Sequence, residues 1–307
     1  MEKGFSRIRR ALLVVAIVVG ALTVLFYGIA LDISRDYPSI LSGSPIDSIH
    51  ANKPVVHIGV ISRYPPNITY RGYQPIIDYL TENTAYRFEL TLSQDYSEAL
   101  GNLTTKKVSA VFLGSYLYVT AHDRYGVIPI LKPLNENFEP FSRSVLIVNA
   151  KTNIYSVNDL VGKKLALPSR ESFSSNWILN YELPRHRISP SDLASIFNFP
   201  HHQSVIYQVL RGNYDAGVTR EHLVKEFFNA NIRAVQYSEP IPSPPLSVAA
   251  DYNRELVKAL KRALLAVGSD EQKRQELTKE WDPEFIHGFV EANDSDYNVI
   301  RAMNRTR

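Results

Sequence analysis

Between residues 55 and 249, short runs of β-forming residues alternate with stretches of helical period, and this alternation restricts the fold more than any other feature of the sequence. Strand-like residues 55–61 precede a helical stretch at 73–82, 87–92 precede 96–103, and 110–113 precede 116–124. A strand, a helix and a further strand in succession read as a crossover between parallel strands, so the pattern predicts an open α/β sheet. A second set begins at the strand-like run 144–149. Ser156 and Asp159 then form a capping-box pattern, followed by a strand at 164–167, a helix at 172–181 opened by hydroxyls, and a strand at 196–199. A helix at 203–211 stopped by Gly212, a strand at 216–218, a helix at 221–230 and a strand at 233–237 complete this unit. The Pro-rich stretch 239–245 breaks the pattern before a strand-like run at 246–249 and a long helix at 253–267. The expectation is two α/β lobes, one from 54–146 plus 246–307 and one from 147–245. Two strand-like passages, near 144–149 and 245–249, would join them as a hinged pair closing on a small ligand.

Residues 11–31 are uncharged throughout, and a helix of that length matches the hydrocarbon core of about 30 Å. Ahead of this run stand Lys3, Arg7, Arg9 and Arg10 against Glu2 alone, which accounts for the whole formal net charge of +3. The rest of the chain is electrically balanced. The positive-inside rule therefore keeps residues 1–10 in the cytoplasm, makes 11–31 a single transmembrane helix of the inner (cytoplasmic) membrane, and sends the body out to the periplasm or its equivalent. Residues 32–53, rich in Ser, Pro, Ile and Asp, read as a tether. The competing reading is a cleaved signal peptide, with Gly28 and Ala30 as the small residues of a cleavage site, although signal cores run shorter than this one. With no cysteine in the chain, neither a lipid-modified cysteine nor a disulfide is available, and stability must come from packing.

Signals for catalysis are weak. The phosphate-binding loop, dinucleotide-binding, nucleophile-elbow and zincin motifs are all missing. The eight histidines contain the adjacent pair His201 and His202 but no i,i+4 pair, so neither a metal site nor a cofactor is expected. A balanced body also lacks the basic footprint that nucleic acid requires. What remains is hydroxyls at helix starts. Ser172, Ser174 and Ser175 open a predicted helix, where free backbone N–H groups and the positive dipole end attract an anion, although serine there is also an ordinary cap. His202 opens another helix, either as a second anion donor or as a simple surface residue.

These residues fall in an ordered series. I-G-V-I at 58–61, Q-D-Y-S at 94–97, A-V-F-L-G-S at 110–115, S-V-L-I-V at 144–148, D-L-V-G-K-K at 159–164, S-F-S-S at 172–175 and H-x6-V-L-x-G-x-x-D-A-G at 202–217 follow one another, with S-E-P-I-P at 238–242 and Y-N-V-I-R at 297–301. In this order the chain, from about residue 55 to 301, resembles the phosphate, phosphite and phosphonate substrate-binding proteins of ABC importers, the PhnD-like branch of type II periplasmic binding proteins. The resemblance implies a two-lobed Venus-flytrap fold that clamps an oxyanion. It places the anion loop on Ser172, Phe173, Ser174 and Ser175, with Phe173 standing where a threonine would add a hydroxyl. It places a ligand tyrosine on Tyr96 and a ligand histidine on His202. Ser115 and Tyr116 would line the opposite lobe or, for Ser115, only cap the helix that follows, and Arg170 and Arg220 would add positive charge near the cleft. The two carboxylates that pair a ligand ammonium in aminoethylphosphonate binders fall on His222 and Pro244. The resemblance thus implies a non-enzymatic solute-binding protein for phosphate, phosphite or an alkylphosphonate, serving an ABC permease. The alternative is a sensory or scaffold flytrap that signals to a membrane partner such as a histidine kinase; a third reading is an enzyme on the same scaffold.

Overall fold

A computed structural model describes residues 52–305 apart from 228–230 and 269. The basic head at 1–10, the apolar run at 11–31 and the tether as far as residue 51 lie outside the described residues. Among the described residues no helix is long and apolar enough to cross a membrane.

In chain order the strands are β1 (Val55–Val60), β2 (Arg87–Leu92), β3 (Ala110–Phe112), β4 (Ile128–Pro133), β5 (Phe141–Ser142), β6 (Ser144–Asn149) and β7 (Lys164–Leu167). They continue with β8 (Ser195–Asn198), β9 (Ala216–Arg220), β10 (Ile232–Tyr237), β11 (Ile241–Pro242), β12 (Leu246–Val248) and β13 (Phe289–Glu291). They form a six-stranded sheet, β13-β4-β12-β3-β1-β2, and a five-stranded sheet, β10-β6-β9-β7-β8. β1 pairs parallel to both β2 and β3, as does β7 to both β8 and β9. Each parallel pair needs a crossover, supplied in the first sheet by helices Pro66–Asn83 and Tyr96–Thr104.

Helices cover both faces of each sheet, and the strand alternation sorts the side chains. Ala110 and Phe112 face a core with Val56, Ile58, Tyr73, Ile76, Ile77 and Leu80, while Val111 and Leu113 face Ala99, Leu103 and Leu117 on the other side. In the second sheet Leu146 and Val148 pack with Leu165, Leu167 and Val218, and Val145 and Ile147 pack with Ile206, Val209 and Leu223. Tyr64, which follows β1 of the first sheet, is buried in this last cluster and ties the two lobes together.

The chain crosses between sheets at β5 and β11, which pair antiparallel as a separate two-stranded ribbon with Ile241 opposite Ser142. The crossings therefore lie a few residues before the passages expected at 144–149 and 245–249. β6 belongs wholly to the second sheet and β12 to the first, because each completes an antiparallel ladder there. Other differences are local. The first helix starts at Pro66 instead of 73, since Pro at the first helical position supplies a ready φ. The helix expected at 172–181 runs as Phe173–Trp177 and then opens into a π turn at Ile178–Glu182. β4, β13 and the helices Glu271–Thr278 and Asn298–Arg305 were not anticipated.

Candidate functional site

Parallel α/β sheets leave their ligand crevices at the carboxyl ends of the strands, and here those ends converge between the two lobes. Arg63 follows β1, Tyr96 follows β2, Ser115 follows β3, Ser174 follows β7, His202 follows β8, and Arg220 is the last residue of β9. All six line one small cavity of about 30 Å³, with Ile61, Ser142, Arg143, Ser144, Phe173, Ile241 and Pro244. That volume holds one or two waters. A larger chamber of about 390 Å³ adjoins it through Ser142, Arg143 and Arg220 and extends past His222, Lys225, Glu284 and His287.

Local chemistry sets each position. Asp95 caps the helix that Tyr96 opens, accepting from the Glu98 N–H at 2.7 Å, while Glu98 reaches back to the Gln94 N–H at 2.6 Å. This reciprocal cap fixes the first turn and with it the Tyr96 ring. Ser115 donates to the Pro242 carbonyl at 2.8 Å and so ties the first lobe to the crossing ribbon. Ser174 shares a 2.7 Å hydrogen bond with Ser144. Gly217 permits the close seating of the helix His202–Leu210, because a Cβ there would stand 2.5 Å from Val205 Cγ1 and 2.9 Å from Val209 Cγ2. The neighbouring His201 donates from Nδ1 to the Ser62 carbonyl at 3.1 Å across the cleft.

Of the seven residues singled out in the sequence, the structure gathers Tyr96, Ser115, Ser174 and His202 on the cavity. Ser172 and Ser175 do not line it. Ser172 Oγ accepts the Ser175 N–H at 3.2 Å, and Ser175 Oγ donates to the Pro168 carbonyl at 3.0 Å, so both hydroxyls serve the turn that carries Ser174. Tyr116 points elsewhere, into a recess with Phe173, Asn176, Trp177, Asn180, Tyr181 and Met303. Arg170 is on the surface, with Nε donating to Asn198 Oδ1 at 3.3 Å. Phe173 packs against the cores of both lobes. The positions of the two missing carboxylates do face the cavities, His222 the larger and Pro244 the smaller.

Sequence reasoning missed Arg63 and Glu284. Arg63 and Arg220 are 3% and 8% exposed, one from each lobe, and the Glu284 carboxylate bridges them. Arg220 Nη2 lies 2.5 Å from Glu284 Oε1, and Arg63 Nη1 is in close contact with Oε2. Arg63 Nε and Nη2 remain buried without a hydrogen-bond partner. An arginine directly after a strand and a carboxylate inside W-D-P-E were the only available signals, and neither has a distinctive spacing.

The electrostatics follow from burial beside two fixed cations. Burial opposes the charge of Arg63, but Tyr73 and Asp282 outweigh it and hold its pKa above the ordinary value. Burial and the nearby Arg63 bring Arg220 down to about 10, which leaves it protonated at neutral pH. His202 and His222 are pushed well below the usual histidine range, by burial first and then by Arg220 and Arg63, so both rings are neutral. Burial raises Asp282 to about 6 even though both arginines pull it down. Two buried guanidinium groups, a neutral imidazole and several hydroxyls converging on one cavity form a donor set suited to a compact oxyanion. Among the described residues no group of three or more metal-ligating side chains stands together.

Comparison with known proteins bears on the family and the fold. Residues 58–297 match the family model described as ABC transporter, phosphonate, periplasmic substrate-binding protein. The fold is similar to the binding-protein component of an ABC phosphonate transporter from Pseudomonas aeruginosa, with a TM-score of 0.73 and 17% identity over 82% of this chain and 86% of that one. It is also similar to PhnD1 from Prochlorococcus marinus in complex with methylphosphonate (TM-score 0.70, 16% identity, 82% of this chain and 97% of that one). A protein from Xanthomonas citri bound to ATP superimposes with a TM-score of 0.64 at 20% identity, covering 82% of this chain and 96% of that one.

Proposed function

The chain belongs to the family of periplasmic substrate-binding proteins of phosphonate ABC transporters, and on that premise we propose that it captures a small tetrahedral oxyanion between Arg63 and Arg220. It is a solute-binding protein and not an enzyme. Phosphate, phosphite and an alkylphosphonate such as methylphosphonate are the candidate ligands. The single observation that carries this reading is the convergence of two buried arginines, one from each lobe, on a cavity that also holds Tyr96, Ser174 and His202. Charge-assisted donors from opposite lobes make binding and closure one event. No carboxylate lines the smaller cavity among the described residues, which favours a ligand without an ammonium group. Among the similar structures, PhnD1 is in complex with methylphosphonate, and the Xanthomonas citri protein is bound to ATP in one structure and to chloride in another, all of them anions. We further propose that residues 11–31 anchor the protein in the cytoplasmic membrane with the lobes outside, which keeps the binding cleft close to a permease.

A thermal-shift series on the purified full chain tests the ligand class, using phosphate, phosphite, methylphosphonate, aminoethylphosphonate, sulfate and taurine. A ligand of the native state alone raises stability by about 2.7 kcal/mol at one hundred times its Kd. A rise with one or more of the first three anions, exceeding any rise with taurine, is the expected result. No rise with any phosphorus oxyanion would remove the assignment.

A further inference from the structure

We infer that Glu284 is a latch, an internal carboxylate that closes the cleft by occupying the arginine donors an oxyanion must take, so that a ligand binds by displacing it. The inference rests on the oxyanion reading for the identity of the displacing ligand, but the latch itself concerns the ligand-free protein. Glu284 lies in the segment between the helix Glu271–Thr278 and β13, on the first lobe, where its N–H donates to Asp282 Oδ1 at 3.0 Å. Asp282 N–H in turn donates to the Gly72 carbonyl at 2.9 Å, and a Cβ on Gly72 would stand 3.0 Å from Asp282 Cβ. The segment is therefore pinned closely to the helix Pro66–Asn83.

From this fixed base the carboxylate sends one oxygen to each lobe. Oε2 meets Arg63 of the first lobe and Oε1 meets Arg220 of the second, with all three side chains buried. This is the way a clamped oxyanion is held, with separate oxygens on cations that belong to opposite jaws. The bridge consists of ion-pair contacts, and Arg63 Nε and Nη2 and both Glu284 oxygens stay buried without a hydrogen-bond partner. A tetrahedral oxyanion brings a third oxygen and more charge, so the exchange improves the arginine coordination. The space on either side fits such an exchange. The cavity of about 30 Å³ is too small for a phosphonate while the bridge stands. The chamber of about 390 Å³ also touches Glu284 and gives the displaced carboxylate room to move towards Arg143, while Lys225 on the same wall is already paired with Glu136 and Glu221.

The latch makes Glu284 a specificity-determining residue, since only anions that outbid a carboxylate gain the site. Small-angle scattering and calorimetric titration with phosphate, methylphosphonate and aminoethylphosphonate, on the full chain and on Glu284→Gln, test it. Glu284→Gln keeps the shape and removes the charge. The expected result is a larger radius of gyration in the ligand-free variant than in the wild type, contracting when ligand is added, and at least tenfold tighter binding. Arg220→Gln breaks the same bridge from the second lobe and must also open the ligand-free cleft. Ligand-free scattering identical to wild type in both variants overturns the latch, even if the oxyanions bind. So does a loss of affinity in Glu284→Gln confined to aminoethylphosphonate, which would make Glu284 the partner of a ligand ammonium. Opening without binding of any phosphorus oxyanion by either protein upholds the latch and removes the oxyanion reading.

Discussion

Arg220 and Ser174 sit on the same cavity but differ in what they can give an anion. A guanidinium makes charge-assisted bonds of about 1.5–3 kcal/mol each, and a hydroxyl about 1 kcal/mol. Arg220→Gln is expected to weaken methylphosphonate binding about a hundredfold, and Ser174→Ala by tenfold at most, both by calorimetric titration. A larger loss from Ser174→Ala would relocate the anion to the serine turn. Asp282 offers a prediction of stability instead of affinity. Its carboxyl pKa is raised to about 6 from 3.8 by burial, with Arg63 and Arg220 pulling the other way. Below about 4 the group is protonated in the folded and unfolded states alike. Between about 4 and 6 the folded state holds a proton that the unfolded state has lost, so the contribution of Asp282 to stability falls as pH rises and levels off above about 6. Urea unfolding of wild type and Asp282→Asn at pH 4 and pH 7.5 checks this, because Asn keeps the acceptor for the Glu284 N–H. The variant gains stability relative to wild type at the higher pH; an unchanged difference would show that Asp282 does not titrate in this range. Ser174 and His202 drew attention in the sequence as polar residues at helix starts behind strands, and Tyr96 through the family resemblance. Arg63 and Glu284 were not legible, because an isolated charged residue carries no periodicity, and whether it is buried depends on packing between segments more than two hundred residues apart.

The elements were legible where a period could form. The crossovers around β1, β2 and β3 follow from alternating patterns of adequate length, whereas β5 and β11 are two residues each and too short to carry a pattern. For the same reason the crossing points could not be placed to the residue. Ser172, Ser174 and Ser175 show the limit of reading hydroxyls from sequence, since one faces the cavity and two complete the turn, and only the side-chain directions separate them. Gly217 joins element packing to function. Its lack of a side chain lets the helix His202–Leu210 lie close on β9, and that helix carries His202 at its first turn. Gly217→Ala is expected to cost about 1–3 kcal/mol through overpacking, read as a lower urea midpoint. It should also weaken oxyanion binding, because moving the helix moves His202. Unchanged stability would mean that Val205 and Val209 can yield without cost.

Among the described residues several contacts join the two lobes. Tyr64 is buried against Ile147 and Ile206 of the second lobe, Lys225 pairs with Glu136, and Ser97 donates to Glu171 at 2.7 Å. Of these, Tyr64 removes the most apolar surface from water. Tyr64→Ala should therefore shift the ligand-free ensemble toward open forms and weaken the apparent affinity about tenfold, without altering the arginine donors, since the apolar contact is then regained by neither the free nor the closed, liganded form. Scattering with and without ligand would show a larger contraction on binding than in the wild type, and equal contraction would place the closing force elsewhere. The binding consequences depend on one claim, that Arg63 and Arg220 together hold an oxyanion. Its most direct test is calorimetric titration of the full chain with methylphosphonate and phosphate, beside the double variant Arg63→Gln, Arg220→Gln. One site per chain for at least one anion, abolished in the double variant, is the predicted result; binding that survives the loss of both arginines would contradict it.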